Sequence, residues 1–80
     1  MRRWRNVERQ AVESSVIRSA AYDPVEAVLE VEFLDGDVYR YFEFPEFLYR
    51  GLMLAASKGQ FFNSRINGRY AFEQVERDGM

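Results

Sequence analysis

The chain contains no cysteine and no histidine. Without thiols there is neither a disulfide staple nor a thiolate metal site, a usage that suits a reducing compartment. The missing imidazole takes away the side chain that most often serves as general base near neutral pH and as a metal ligand. Hydrolase triads, zinc chemistry and most phosphotransfer relays lose their usual centre, so no catalytic residue, cofactor or metal is expected. Long hydrophobic runs are missing too. The longest apolar helical stretch, Gly51 to Ala56, is far short of the roughly 20 residues that cross a bilayer. Arg2, Arg3 and Arg5 are not followed by an apolar core of signal-peptide length. The expectation is a soluble, cytoplasmic protein with no membrane partner.

What is present is a dense supply of apolar area. Eighty residues make one domain, and a chain of this size hides only about 60% of its unfolded surface. Thirteen aromatics (7 Phe, 5 Tyr, 1 Trp) supply the core, each able to remove about 150–250 Å² from water. Residues 1–8 show no clear period and read as a tail, although Trp4 in a tail usually packs on something. The domain is expected over 9–76, with 77–80 frayed.

The two prolines mark boundaries. Ser15–Tyr22 is small or β-branched and reads as a strand, and Asp23-Pro24 turns the chain. Ala27–Leu34 alternates, with Leu29, Val31 and Phe33 on one face and Glu30 and Glu32 on the other. Asp35-Gly36 signals a hairpin into Asp37–Phe44. A two-residue Asp35-Gly36 turn would pair Phe33 with Val38 and place Tyr39 and Tyr41 on the Glu30/Glu32 face. A three-residue Asp35-Gly36-Asp37 loop would pair Phe33 with Tyr39 and turn both tyrosines inward, because a one-residue slip flips the whole set. The sequence leaves both registers open, with an inward placement favoured.

Pro45 suits a first helical residue, and Leu48, Tyr49, Leu52, Met53 and Ala56 form a stripe of helical period through to Ser57. Gly59 is a candidate stop, with Lys58 near the negative helix end. Ser57 with Gln60 fits a capping box for a second short helix carrying Phe61, Phe62 and Ile66, closed by Asn67-Gly68. Tyr70–Val75 alternates weakly, as an edge strand would. The fold class is therefore α+β: a three- or four-stranded antiparallel meander sheet followed by two short helices covering one face.

Four groups of residues can carry chemistry. Glu30 and Glu32 lie within reach of paired-carboxylate work, but a solvated sheet face is the plainer reading. Ser14-Ser15 lacks a histidine base; a Ser-Lys pairing with Lys58 has no support, and hydrogen bonding at a strand start accounts for the serines better. Tyr39-Arg40-Tyr41 has the makings of a base-stacking platform on a sheet, though such a pair is more often core. Finally, the net charge of −2 is unevenly spread. Residues 20–49 carry eight acids against Arg40, whereas residues 50–70 carry Arg50, Lys58, Arg65 and Arg69 and no acid. That basic run can hold phosphates or simply cover a solvated surface.

The run Val12-Glu13-Ser14-Ser15-Val16-Ile17, then Tyr22-Asp23, Leu29-Glu30-Val31-Glu32-Phe33 and Gly36, resembles the first half of the KTSC domain family. Tyr39-Arg40-Tyr41 matches that family's central Tyr-x-Tyr, and Pro45, Tyr49, Leu52, Ala56-Ser57-Lys58-Gly59, Phe62-Asn63, Ile66 and Tyr70 continue the likeness. It runs from about Arg9 to Val75; Ala21 departs from it, standing where the family commonly has glycine. The family is named for its place at the C-terminus of some lysyl-tRNA synthetases. The resemblance brings no established activity and no catalytic residues, and implies RNA binding as a proposal. The functional expectation is a small non-enzymatic binding module, for RNA through Arg40, Arg50, Lys58, Arg65 and Arg69. The alternative is a protein-interaction or assembly module, its partner another protein or a second copy of the chain.

Overall fold

The longest strand pairing is built on the alternating residues around Leu29, Val31 and Phe33. In a computed structural model, which describes residues 10–11, 14 and 16–75, the strands are β1 (Gln10–Ala11), β2 (Ile17–Asp23), β3 (Val28–Phe33), β4 (Val38–Tyr41) and β5 (Phe72–Val75). Between β4 and β5 lie the helices α1 (Glu46–Leu54) and α2 (Lys58–Phe61), the latter running into a π-helical segment, Phe62–Ile66. The sheet order is β1-β2-β3-β4-β5, every pair antiparallel. The class is the expected α+β meander, with the two-residue β1 as an unforeseen fifth strand. The expected tail of residues 1–8, Trp4 within it, Ser15 and the frayed end at 77–80 lie outside the described residues.

The β3–β4 hairpin adopts neither of the two expected registers. Gly36 N–H donates to Phe33 C=O and Phe33 N–H to Asp37 C=O, both at 2.9 Å. The loop is thus Leu34-Asp35-Gly36, with Gly36 at φ 96°, a type I turn closed by a glycine in the left-handed region. Asp35 Oδ1 accepts the Asp37 N–H at 2.9 Å and braces it. The resulting pairs are Glu32–Val38, Val31–Tyr39, Glu30–Arg40 and Leu29–Tyr41. The loop starts one residue early, yet its parity matches the three-residue alternative, so Tyr39 and Tyr41 share the face of Leu29 and Val31.

That face is the core. Ile17, Leu29, Val31 and Tyr41 from the sheet meet Phe44, Leu48, Leu52, Phe62 and Ile66 from the helical side. Burying each such side chain is worth about 1.5–3 kcal/mol. A bulge at Arg18 keeps the strand in phase: Ile17 opposes Phe33 while Ser19 opposes Glu32, so that Ile17 and Ala20 both face inward. Asp23 Oδ1 accepts from the amides of Val25 and Glu26, which fixes the β2–β3 turn at Asp23-Pro24.

The first helix is shorter than its apolar stripe suggests. Pro45 is the N-cap, with φ −75° and ψ 144°, and the helix ends at Leu54, leaving Ala56 exposed. Lys58 Nζ reaches the carbonyl of Ala55 at 2.9 Å, a cation at the negative helix end as anticipated. Gly59, however, lies inside α2 and is no stop. A Cβ there would come to 3.1 Å from Val16 Cγ2, so the glycine admits α2 against the edge of β2. Ser57 is the expected N-cap, accepting the Gln60 N–H at 3.3 Å. The wider i→i+5 turn that follows closes with Asn67 N–H on Phe62 C=O at 2.8 Å and buries both Phe62 and Ile66.

Candidate nucleic-acid interface

Tyr41 is 5% exposed and its ring meets those of Phe62 at 5.5 Å and Phe72 at 5.6 Å. Burial, and then the nearness of Tyr39, pushes its pKa up to about 12. Tyr39 is half-buried, with its ring 5.7 Å from that of Phe33. These rings are spent on the core, so the sheet offers no Tyr-Arg-Tyr stacking surface. Arg40 points to the opposite face, because its strand neighbours point inward. There its Nε lies 3.1 Å from Glu30 Oε1 and its Nη1 3.8 Å from Glu73 Oε2. The outer face thus carries a charged row across β3, β4 and β5.

The expectation that Glu30 and Glu32 form a solvated face needs correction. Glu30 is 4% exposed. Arg40 from the next strand supplies the counter-charge that lets this carboxylate be buried, since a lone buried charge would be very costly. Glu32 Oε1 accepts the Ser19 hydroxyl at 2.9 Å, and its Oε2 lies 3.7 Å from Arg18 Nε. Both carboxylates are occupied in the sheet's own polar network. Ser14 Oγ accepts the amides of Val16 and Ile17 at 3.0 and 3.1 Å, the strand-start role expected of it. Lys58, turned toward Ala55, makes no pair with it.

Of the remaining four cations, Arg50, Lys58 and Arg65 lie on the helical segment and Arg69 in the turn that follows it, all outside the face of Arg40. Arg50 is exposed on α1 and pairs with Glu46 one turn earlier, at 3.1 Å. Arg65 is exposed, its guanidinium carbon 5.5 Å from the centroid of the Phe61 ring. Arg69 is exposed and its Nε donates to Ser64 C=O at 3.2 Å. Gly51 links this group to α1. A Cβ at Gly51 would come within 2.8 Å of Phe61 Cζ, so the glycine is what seats that ring, and Arg65 above it, against the helix.

Two features of α1 were not anticipated from the sequence. Phe47 and Leu54 stand 74% and 85% exposed, on the side of the helix away from Leu48 and Leu52. The signal was present, since both are large apolar residues off the buried stripe. In addition, Tyr49, Arg50, Met53 and Leu54 line an open cavity of about 390 Å³. Its Tyr49 wall is stacked on Tyr22, with ring centroids 5.3 Å apart and planes at 17°. Burial raises the Tyr49 pKa, and burial followed by Glu46 and Asp23 raises that of Tyr22. Among the described residues no cluster of acids is arranged to hold a metal, and no helix is long and apolar enough to cross a membrane.

The sequence matches the model of the KTSC domain over residues 13–70. The chain belongs to the KTSC domain family. It is similar to part of a lysine–tRNA ligase of Nostoc punctiforme, 43% identical over 63 residues, which are 79% of this chain and 11% of that ligase. A protein of Tsukamurella paurometabola is 41% identical over 61 residues, 76% of this chain and 91% of that one. The crystal structure of a KTSC domain protein from Yersinia pestis superposes with a TM-score of 0.83 at 38% identity, covering 88% of this chain and 99% of that one. KTSC domains therefore occur both as small proteins and as a minor part of a tRNA ligase. This chain spans about a tenth of the ligase's length.

Proposed function

We propose that this KTSC domain is a non-catalytic RNA-binding module whose binding surface is its helical segment. The observation that carries the reading is the run from residue 50 to 70, which has four cations and no acid and leaves Arg50, Arg65 and Arg69 exposed. A surface of that sign suits a phosphodiester backbone. Arg40 has no place in this surface, because it lies on the opposite face of the sheet, its guanidinium between Glu30 and Glu73. The presence of a similar domain within a lysine–tRNA ligase supports RNA as the class of partner. The test is titration of tRNA and of single-stranded RNA at several salt concentrations. Binding that weakens steeply with salt is expected; millimolar affinity at low salt, or affinity indifferent to salt, would overturn the reading.

A protein-interaction module is the second reading, favoured by the exposed Phe47 and Leu54 on one side of α1. A stable dimer or a protein complex abolished by Phe47→Ser, with no RNA affinity, would select it.

A further inference from the structure

The cavity on α1 combines three apolar walls with one cation. Tyr49, Met53 and Leu54 supply the walls and Arg50 the charge. Positions 49, 50, 53 and 54 fall on one side of a single helix, so their relative placement is set by helix geometry. Tyr49 is held further by its stack on Tyr22. At about 390 Å³ the space lies at the small end of ligand pockets, which run from about 300 to 1,000 Å³. It has room for one ring-sized group with its substituents. Arg50 is the charge at the cavity, and a cation there favours an anionic partner such as a phosphodiester chain over a neutral or basic peptide surface.

We propose that this cavity seats one unpaired nucleotide of an RNA, the base against Tyr49, Met53 and Leu54 and an adjoining phosphate on Arg50. This rests on the RNA-binding reading and narrows it to single-stranded segments. A base has an apolar π-face that a Tyr and two aliphatic walls can cover whatever its identity, so sequence preference is weak. A duplex keeps its bases stacked inside and cannot offer one to the cavity. The phosphate competes with Glu46 for Arg50, whose Nη2 now lies 3.1 Å from the Glu46 carboxylate. A guanidinium favours phosphate as well as carboxylate because its fork suits both.

The experiment uses the full chain with ¹³C-methyl-labelled methionine. A single-stranded oligouridylate is titrated, then the same strand annealed to its complement, reading fluorescence anisotropy and the Met53 methyl resonance. The single strand is expected to shift the Met53 methyl and to bind roughly tenfold more tightly than the duplex. Leu54→Ser, which removes an exposed wall without adding charge, is expected to lose roughly tenfold in affinity with its circular dichroism unchanged. Arg65→Glu is expected to weaken single strand and duplex alike. Salt-dependent binding that leaves Met53 unmoved and Leu54→Ser unaffected would overturn the cavity proposal while RNA binding stands. No affinity for either RNA form would overturn both. A Met53 shift produced by protein concentration alone would make the cavity an interface between copies and overturn the proposal.

Discussion

Tyr41 sits where the core, the alkaline titration and the central Tyr-Arg-Tyr of the chain meet. In the unfolded chain a tyrosine ionises near pH 10, whereas burial lifts Tyr41 to about 12 in the fold. The neutral ring's support of the fold is therefore complete below about pH 10 and lost as pH rises through about 12. Tyr22 and Tyr49 are raised as well and act in the same direction. Tyr41→Phe keeps the ring and removes the ionising group. It is expected to move the midpoint of alkaline unfolding to higher pH, followed by circular dichroism and tyrosinate absorbance; an unmoved midpoint would contradict this account. Glu30 gives the second prediction at this scale. Glu30→Gln leaves Arg40 facing an amide in a buried setting. Because Arg40 still has Glu73 at 3.8 Å, the expected loss is about 2–3 kcal/mol, under the ~3–5 kcal/mol typical of a broken buried pair. Urea unfolding measures it.

At the scale of elements, the joint between α1 and α2 is governed by Gly51. In an ordinary helix interior Gly→Ala gains about 0.8–1 kcal/mol. Here the new methyl would lie 2.8 Å from Phe61 Cζ, and forcing a ring aside in a packed site costs about 1–3 kcal/mol. Gly51→Ala is thus expected to be neutral to destabilising in thermal unfolding, and Gly51→Val clearly destabilising. A stabilised Gly51→Ala would mean that Phe61 does not hold this position. The α2 start depends on Ser57 Oγ receiving the Gln60 amide. Ser57→Ala should cost about 0.5–2 kcal/mol, read from the same melting curves.

For the molecule as a whole, sign and placement of charge matter more than the net value of −2. The acids are concentrated in residues 20–49, and the sheet's outer face ties Glu30, Glu32 and Glu73 to Arg18, Ser19 and Arg40. The helical segment keeps its cations on the other side. Replacing Arg65 and Arg69 together by Ala should reduce the slope of log affinity against log salt by about 2, since each arginine neutralises one phosphate. The same change at Arg40 should leave the slope as it is and lower stability instead. Equal slopes for the three proteins would remove the helical surface from the proposed interface.

How much of this was written in the chain differs from part to part. The alternation of Leu29, Val31 and Phe33 with Glu30 and Glu32 determined β3 and its two faces, and the Pro45 boundary and Ser57 cap determined where the helices begin. Those features are local, set by side-chain period and by backbone groups a few residues apart. The family likeness was legible for the same reason, since it rests on residue types at fixed spacing. The hairpin register was decided by tertiary structure: Gly36 in the left-handed region closes the turn at Phe33, and the core accepts only the parity that brings Tyr39 and Tyr41 inward. The burial of Glu30 was decided there too, because its counter-charge lies on a neighbouring strand. Likewise, Arg40 looked equivalent to Arg50, Lys58, Arg65 and Arg69 in sequence. Folding puts it on the opposite face of the sheet, between two carboxylates, since pairing across strands follows register and not charge count.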